Sequence, residues 1–253
     1  MLELDGKCAV VIGGTSGIGR ALALGLAEAG ADVVPTSRSL EASASTAREI
    51  SALGRRSLDL CVDVSSRESI ERLCEKVAAA FPSIDILVNC AGITKREPTL
   101  TLSEDQWDRI FDINLNGTLR SCQIFGRHML DRQSGRIINI ASLSTFVAFH
   151  EVTAYCASKA AVGALTRSLA VEWAPYGVYV NAIAPGIFPT ALNSAILESP
   201  RGRELELRTP MRRFGQPGEL VSTVQYLASE RSSFTTGQII AVDGGFLASG
   251  VNQ

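Results

Sequence analysis

Tyr155 and Lys159 stand four positions apart in the stretch YCASK, with only small side chains between them. On a helix this spacing places both side chains on one face. An ammonium close to a phenol favours the phenolate and lowers the pKa of the tyrosine from about 10, each unit corresponding to ~1.4 kcal/mol. The pair can then give a proton to a carbonyl oxygen or remove one from an alcohol. A core tyrosine followed by a surface lysine is the alternative interpretation.

Two polar residues upstream complete this candidate site. Ser142 ends the strand-like run GRIINIAS, where its hydroxyl can hold the oxygen of a substrate. Asn114 interrupts a long helical segment, 103–131, and is suited to anchoring a water molecule that relays the proton. A serine or an asparagine alone is commonly structural. The combination with Tyr155 and Lys159 is what indicates catalysis.

A glycine-rich turn, IGGTSGIG, joins the first apolar run to a helical pattern. Gly13, Gly17 and Gly19 give the spacing G-x-x-x-G-x-G. Glycines here allow a tight turn and a close approach of the backbone to a pyrophosphate, and the helix that follows presents its N-terminus to the anion. The sequence therefore predicts a dinucleotide-binding site at this turn.

The end of the second strand-like run predicts which dinucleotide is bound. An acidic side chain at this point binds the ribose 2′-hydroxyl of NAD, but the run ends TSRS, without an acid. Ser37 stands where a carboxylate would repel a phosphate, and Arg38 follows with a guanidinium suited to binding one. We therefore expect NADP(H) to be favoured over NAD(H). Asp63, after the third run, is either an adenine contact or a helix cap, because SSRE follows it.

Strand-like apolar runs alternate with helical patterns along the whole chain. The runs are mostly continuous, as in strands that are buried on both faces of a parallel sheet. We therefore expect one α/β domain over residues 1–253, with an open, doubly wound, seven-stranded parallel sheet and helices on both faces. Pro35 predicts that the second strand is short or bulged. The expected strands are 8–13, 31–36, 57–64, 84–89, 135–142, 178–185 and 238–244.

One irregular segment, 187–213, is rich in Pro, Arg, Glu and Ser and lies between the last two expected strands. A long insertion at this point is more often functional than a domain boundary, so we expect a lid over the substrate. Its arginines can meet a substrate carboxylate or form an ordinary solvated face. They are Arg201, Arg203, Arg208, Arg212 and Arg213.

Composition excludes several classes of protein. The formal net charge of -2 gives no electrostatic basis for binding nucleic acid or an anionic membrane. No apolar run approaches the roughly 20 residues that span a bilayer, and the first residues lack the pattern of a secretion signal. The six cysteines form no C-x-x-C pair and the two histidines lack ligand spacing. We therefore expect a reduced, cytoplasmic protein without a metal.

The motifs, taken in order, resemble those of the short-chain dehydrogenase/reductase family, and the resemblance covers essentially the whole chain. Two positions depart from the family pattern: Ile12, where threonine is usual, and Cys90, where asparagine is usual. The motifs are GGTSGIG (13–19), NCAG (89–92), Asn114 in DINLNG, Ser142 in NIAS, YCASK (155–159), PGIFPT (185–190) and VDGG (242–245).

The resemblance implies a Rossmann fold and assigns catalysis to Asn114, Ser142, Tyr155 and Lys159. It also implies that Lys159 contacts the nicotinamide ribose, and that Thr190 and the Ile187 backbone lie near the nicotinamide amide. The cofactor contacts that we expect are Gly13, Thr15, Ser16, Gly17, Ile18, Gly19, Ser37, Arg38, Asp63, Val64, Asn89, Ala91, Gly92, Tyr155, Lys159, Pro185, Gly186, Ile187 and Thr190.

The family also implies a homotetramer. One interface would form from the long 103–131 helix and its neighbour, and the other near the last strand and the C-terminus. Apolar residues on the long helix give weak support for this assembly from the sequence itself: Ile124, Phe125 and Met129.

Within the family, the lid and the tail TPMRRFGQPGEL…VDGGFLASG are similar to gluconate 5-dehydrogenase and related sugar-acid and polyol dehydrogenases. We therefore expect interconversion of a secondary alcohol and a ketone on such a small molecule, with Tyr155 as general acid or base. A non-enzymatic NADP-binding sensor on the same fold is a further alternative, although such proteins generally lack the tyrosine or the lysine.

A 3-oxoacyl-[acyl-carrier-protein] reductase is the main alternative, because much of the chain is also similar to these enzymes. That role needs a basic rim for an acidic carrier protein. Val171 and Tyr176 stand where such reductases often carry arginine, which weighs against it. Three arginines are candidates for the rim: Arg127, Arg132 and Arg136.

Overall fold

A computed structural model of the chain describes residues 4–190 and 199–250. Within these residues, parallel strands form one sheet with helices on both faces, as the sequence predicts. The strands are β1 (Cys8–Ile12), β2 (Asp32–Thr36), β3 (Ile86–Asn89), β4 (Gly135–Ile140), β5 (Val178–Pro185) and β6 (Ile239–Val242). Their order across the sheet is β2-β1-β3-β4-β5-β6, so the chain starts near the middle and winds outwards in both directions.

Three of the helices that connect these strands begin at serine caps. Ser39, Ser66 and Ser103 each accept a hydrogen bond from the backbone N–H three positions further on, which satisfies one free donor of the first turn. The helices are α1 (Gly17–Glu28), α2 (Leu40–Ala52), α3 (Arg67–Ala80), α4 (Glu104–Phe111), α5 (Gly117–Asp131), α6 (Thr153–Trp173), α7 (Pro200–Arg208) and α8 (Val221–Ala228).

Both faces of the sheet are covered by apolar layers, which explains the continuous apolar runs. In β1, Val10 and Ile12 belong to the layer that contains Phe125 of α5, whereas Val11 belongs to the opposite layer with Leu22 of α1. All five side chains are at most 1% exposed.

Apolar residues of α5 were expected to support an interface between copies of the chain, and the structure contradicts this for two of them. Phe125 and Met129 are fully buried within the chain itself. They therefore pack the protein's own core and give no support for a contact with another copy.

The segment 57–64, expected as a seventh strand, is the part of the predicted sheet that does not form. It runs beside β2, where Val33 N–H donates to the Arg56 carbonyl at 3.1 Å and Val62 N–H donates to the Ser37 carbonyl at 2.8 Å. Residues 33, 35 and 37 face this edge of the strand, and Pro35 has no N–H to donate. The ladder is interrupted there, and six strands remain in the described part of the chain.

The expected lid, 187–213, is described in part. Residues 191–198 lie outside the described residues. Helix α7 begins after Ser199, whose hydroxyl accepts a hydrogen bond from Gly202 N–H at 3.4 Å. Across the described ranges, no helix combines the length and apolar character needed to cross a membrane.

Candidate active site

A cleft of about 600 Å³ opens along the carboxyl ends of the strands. In open α/β sheets, ligands bind at this edge. The residue that follows each of the first five strands lines the cleft. These residues are Gly13, Ser37, Cys90, Ala141 and Gly186.

The structure brings together nearly all of the residues that the sequence singled out. Asn89 and Asn114 are the exceptions, because neither lines the cleft. The predicted residues that do line it are Gly13, Thr15, Ser16, Gly17, Ile18, Gly19, Ser37, Arg38, Asp63, Val64, Ala91, Gly92, Ser142, Tyr155, Lys159, Pro185, Gly186, Ile187 and Thr190.

The turn between β1 and α1 has room only for glycine at two positions. Gly13 has a φ of +82°, and a Cβ there would lie 2.7 Å from the Ala91 backbone nitrogen. A Cβ on Gly19 would lie 2.0 Å from the Gly13 carbonyl oxygen. Because the Ser16 side chain makes no capping hydrogen bond, the first N–H groups of α1 are available to an anionic ligand. This geometry is compatible with a pyrophosphate at the turn, and the predicted role stays a prediction.

Arg38 and Asp63 line the β2 end of the cleft. Both the backbone N–H and the hydroxyl of Ser65 donate to Asp63 Oδ1, at 3.0 and 2.7 Å. These hydrogen bonds, with a smaller contribution from Arg38, lower the pKa of the Asp63 carboxyl. Asp63 therefore stabilises its own turn and still faces the cleft, so both interpretations of this residue are compatible with the structure. Arg38 is exposed and has no salt-bridge partner among residues 4–190 and 199–250.

Lys159 is held in the middle of the cleft by the end of β4. Its Nζ donates to the Ile140 carbonyl at 2.7 Å, and the residue is only 5% exposed. Burial lowers the pKa of the Lys159 amine to about 8. Nζ lies 5.9 Å from the centre of the Tyr155 ring, so the two side chains share one face of α6, as predicted.

The lowering of the Tyr155 pKa by Lys159 is not seen in this structure and stays a prediction. Burial raises the pKa of the Tyr155 phenol, and the Ser142 hydroxyl lowers it only in part. The ammonium is directed at the Ile140 carbonyl and lies 5.9 Å from the centre of the Tyr155 ring, and burial of the phenol disfavours its charged form. Ser142 itself is fixed by accepting a hydrogen bond from Ser144 N–H at 3.1 Å.

Asn114 lies behind the cleft wall and links the loop after β3 to α6 through hydrogen bonds. It lies in a π-helical turn, Asp112–Asn116, between α4 and α5, and is fully buried. Its Oδ1 accepts from Ile93 N–H at 2.8 Å, and its Nδ2 donates to the Ile93 carbonyl at 2.9 Å and to Ser158 Oγ at 3.0 Å. Both amide hydrogens are therefore used within the protein. The expected role in anchoring a water stays a prediction.

Gly92 separates Asn114 from Lys159. A Cβ on this glycine would lie 3.3 Å from Asn114 Oδ1 and 3.6 Å from Lys159 Nζ. The amide oxygen and the lysine amine are therefore neighbours across a residue without a side chain.

Asn89, an expected cofactor contact, lies beneath the cleft. It is 5% exposed, and its Nδ2 donates to Asn139 Oδ1 at 2.9 Å. Asn89 is the last residue of β3 and lies directly opposite Asn139 of β4, so this side-chain hydrogen bond joins the two strands. Its side chain is therefore placed to hold the two strand ends in register.

Sequence reasoning missed several residues of the cleft wall. Arg96 lines the cleft, and its Nε donates to Glu151 Oε2 at 2.7 Å. Phe149 and Val152 line it from the loop before α6, and Leu205 lines it from α7. Where the loop residues lie depends on the path of each loop in three dimensions, for which the sequence carries no periodic signal.

Cys90 also lines the cleft, although it was treated only as a departure from the family pattern. Burial raises the pKa of its thiol to about 11, so the side chain is neutral near pH 7. It contributes a small apolar surface beside the glycine turn, where its Sγ would lie 3.2 Å from a Cβ on Gly19.

Replacing Lys159 by methionine should stabilise the cofactor-free protein at pH 7. The pKa of Lys159 falls from 10.5 to about 8 on folding. Between pH 8 and pH 10.5 the folded state therefore binds fewer protons than the unfolded state, so the free energy of unfolding rises with pH in this window. Lys159→Met removes the cost of burying the charge, so its thermal midpoint should exceed that of the wild type at pH 7 and the difference should shrink towards pH 10.5. Lys76→Met, at an exposed position of α3, is the control. A lower midpoint for Lys159→Met at pH 7 would contradict this account.

Comparison with known proteins agrees with this geometry. A family model described as enoyl-(acyl carrier protein) reductase matches residues 13–247. The 2-dehydro-3-deoxy-D-gluconate 5-dehydrogenase of Pseudoalteromonas atlantica is 43% identical over 252 residues, which is 98% of this chain and 99% of that protein. The 3-oxoacyl-[acyl-carrier-protein] reductase FabG of Thermotoga maritima is 35% identical, over 97% of this chain and all of that protein.

A solved structure extends the similarity to three dimensions. The crystal structure of a gluconate 5-dehydrogenase from Burkholderia cenocepacia, in complex with NADP and tartrate, superimposes with a TM-score of 0.95 at 38% identity and covers 98% of each chain. With matches that run over nearly its whole length, the chain belongs to the short-chain dehydrogenase/reductase family and is an oxidoreductase that acts on alcohol and carbonyl groups.

Proposed function

We propose that the protein is an NADP(H)-dependent dehydrogenase that interconverts a secondary alcohol and a ketone on a sugar acid or polyol, with Tyr155 as general acid or base. The observation that carries this proposal is that Ser142, Tyr155 and Lys159 line one cleft together with the glycine turn. The catalytic and the cofactor-binding residues are thus within reach of one bound pair of ligands.

The residues present fit a dinucleotide carrying a 2′-phosphate. A volume of about 600 Å³ lies in the usual range of ligand clefts. The glycine turn and the N-terminus of α1 line the cleft, and Arg38 at its β2 end offers a guanidinium suited to a 2′-phosphate. When bound, the nicotinamide cofactor supplies or accepts the hydride. Solved relatives with NADP in their complexes support this choice, although another relative is named as NAD-dependent.

The side chains divide the proton chemistry between them. Ser142 holds the substrate oxygen through its hydroxyl, and Tyr155 Oη delivers a proton to that oxygen in reduction or removes it in oxidation. Its raised pKa keeps Tyr155 protonated near pH 7, which suits the role of acid. Lys159, with a pKa of about 8, can return a proton to the phenolate that is left. Asn114, whose amide oxygen lies near the lysine amine, is the residue that we assign to the relay of this proton towards solvent.

The substrate class rests on the relatives and on the wall of the cleft. Relatives named as 2-dehydro-3-deoxy-D-gluconate 5-dehydrogenase and D-threitol dehydrogenase act on short polyhydroxylated chains, as their names state. The cleft wall of this protein includes Arg96 and Arg201, which are suited to such polar molecules.

The structure weighs against the carrier-protein alternative. Arg132 forms a salt bridge with Asp85 at 3.1 Å, and Arg136 forms one with Glu230 at 2.9 Å. Asp85 precedes β3 and Arg136 is the second residue of β4, so both arginines lie at the amino edge of the sheet, opposite the cleft. Two of the three arginines expected to form a basic rim are therefore in the wrong place to receive an acidic carrier.

Assembly and location are part of the same proposal. We retain the homotetramer expected from the family, for which exposed apolar side chains such as Val171, at 80%, provide surface. All six cysteines are free thiols, which supports a reducing compartment such as the cytoplasm.

A substrate panel tests the proposal as a whole. Sugar acids, polyols and 3-oxoacyl thioesters are offered to the purified protein with NADP(H) and with NAD(H), in both directions. We expect the highest kcat/KM for a sugar acid or polyol with NADP(H). A preference for the thioesters would establish the carrier-protein alternative, and cofactor binding without turnover of any compound would establish the sensor.

Substitution of Tyr155 by phenylalanine should remove turnover and leave cofactor binding intact. Loss of a general acid typically costs roughly 10²- to 10⁴-fold in rate. The readouts are kcat for the best substrate of the panel and the Kd of NADPH from fluorescence. Tyr176→Phe, at a tyrosine that is 51% exposed, is the matched control. Activity in Tyr155→Phe comparable to that of the control would refute the proton-transfer role.

Substitution of Arg38 by alanine should weaken NADPH much more than NADH. A charge-assisted hydrogen bond is worth about 1.5–3 kcal/mol, so the Kd of NADPH should rise roughly 10- to 100-fold. Arg48→Ala removes an exposed arginine from α2, away from the cleft, and serves as the control. Equal losses for the two cofactors would remove the phosphate contact from the proposal.

A further inference from the structure

Arg201 of α7 has a buried guanidinium nitrogen without a partner. Its Nη1 is shielded from solvent and makes no hydrogen bond. No salt bridge involves this residue in the described ranges 4–190 and 199–250. A buried donor that lacks an acceptor costs about 1–3 kcal/mol, and more when the group is charged. The guanidinium of Arg201 therefore has hydrogen-bonding capacity that the described part of the chain does not use.

The guanidinium belongs to the wall of the active-site cleft. Arg201 lines the same cleft as Ser142 and Tyr155, and Leu205, one helical turn later, lines it too. Residues four positions apart share a helix face, so α7 turns this face towards the reacting groups. Arg203, two positions after Arg201, lies on another face of the helix, is exposed and does not line the cleft.

The position of Arg201 on its helix is unfavourable without an anion. It occupies the first turn of α7, which contains no acidic residue. The N-terminus of a helix carries partial positive charge, so a cation there is repelled and an anion is attracted. A carboxylate bound at this point would therefore interact favourably with both the guanidinium and the helix.

The protein itself offers Arg201 no carboxylate in the cleft. Asp63 is the only acid among the described residues that line it, and it lies at the β2 end. In the sheet, β2 is three strands away from β4, which carries Ser142 at its end. Asp63 accepts its hydrogen bonds from Ser65, and among the described residues no salt bridge joins it to Arg201. Arg96, by contrast, is already compensated by Glu151 at 2.7 Å.

We propose that Arg201 binds the carboxylate of the substrate and thereby makes the enzyme selective for sugar acids over neutral polyols. This inference rests on the proposed function and narrows its substrate class. The charge of the ligand is held at α7, while the hydroxyl that reacts is held at Ser142 and Tyr155.

The test compares binding of D-gluconate and of D-glucitol, which replaces the carboxylate by a hydroxymethyl group, to the complex with NADPH. Calorimetry gives the Kd of both compounds without requiring turnover. We expect Arg201→Met to raise the Kd of D-gluconate roughly 10- to 100-fold, and to change that of D-glucitol much less. Arg201→Lys keeps the charge but loses the two-pronged geometry, so it should be intermediate.

Arg203→Met is the matched control, since it removes a positive charge from the same turn of α7 outside the cleft. It should bind D-gluconate like the wild type. The Kd of NADPH reports the folding of every variant, and Arg201→Lys carries the test if Arg201→Met does not fold.

Either of two results from the variants would overturn the inference: a D-gluconate Kd in the Arg201 variants within threefold of the wild type, or an equal loss in Arg203→Met. Either result, obtained while the wild type turns over sugar acids in the substrate panel, leaves the proposed function standing. Failure of the proposed function is read separately, from the wild type alone, as absence of turnover or as preference for thioesters. A wild type that does not bind D-gluconate more tightly than D-glucitol would also count against the role of Arg201.

Discussion

The burial of a lysine amine at the carboxyl end of β4 is the constraint on which the site depends. A buried ammonium must be compensated by hydrogen bonds, or its charge is lost. The Ile140 carbonyl provides one bond at 2.7 Å, and the pKa of Lys159 still falls to about 8. The strand end, the first turns of α6 and the loop after β3 must therefore meet at one point. Gly92 is the residue that allows them to, since a Cβ there would lie 3.6 Å from the amine.

The interruption of the helix at Asn114 belongs to the same arrangement. A buried amide is tolerated only where its hydrogen bonds are made. Asn114 makes three, and two of them satisfy both backbone groups of Ile93. The third, to Ser158, fixes the loop after β3 to α6, so that the π-helical turn and the buried lysine hold the same two elements together. The free-energy cost of the irregular turn is thus offset by the hydrogen bonds that fix the loop after β3 to α6.

The parts of the site that the sequence predicted are those set by local spacing. The glycines at 13 and 19 are dictated by a single turn, and Tyr155 and Lys159 by one helix face. Features that depend on tertiary neighbours could not be predicted in this way. The missing strand at 57–64 depends on which edge of β2 Pro35 faces, and the raised pKa of Tyr155 depends on how many groups shield it from water. Likewise, nothing in the pattern around Arg201 separates it from the exposed Arg203.

Charge and proton transfer are separated along the cleft. Tyr155, Lys159 and Cys90 lie in the middle of the cleft. Burial raises the pKa of the tyrosine and of the cysteine and lowers that of the lysine, so that the neutral form of each side chain is favoured. An anionic group next to them would share this desolvation cost and would raise the pKa of Tyr155 further, which would make the phenol a weaker acid towards the substrate oxygen. The uncompensated guanidinium groups lie elsewhere, Arg38 at the β2 end and Arg201 on α7. Under the proposed function, these two guanidinium groups orient the anionic ends of the cofactor and of the substrate, and the centre of the cleft remains free for proton transfer between neutral groups.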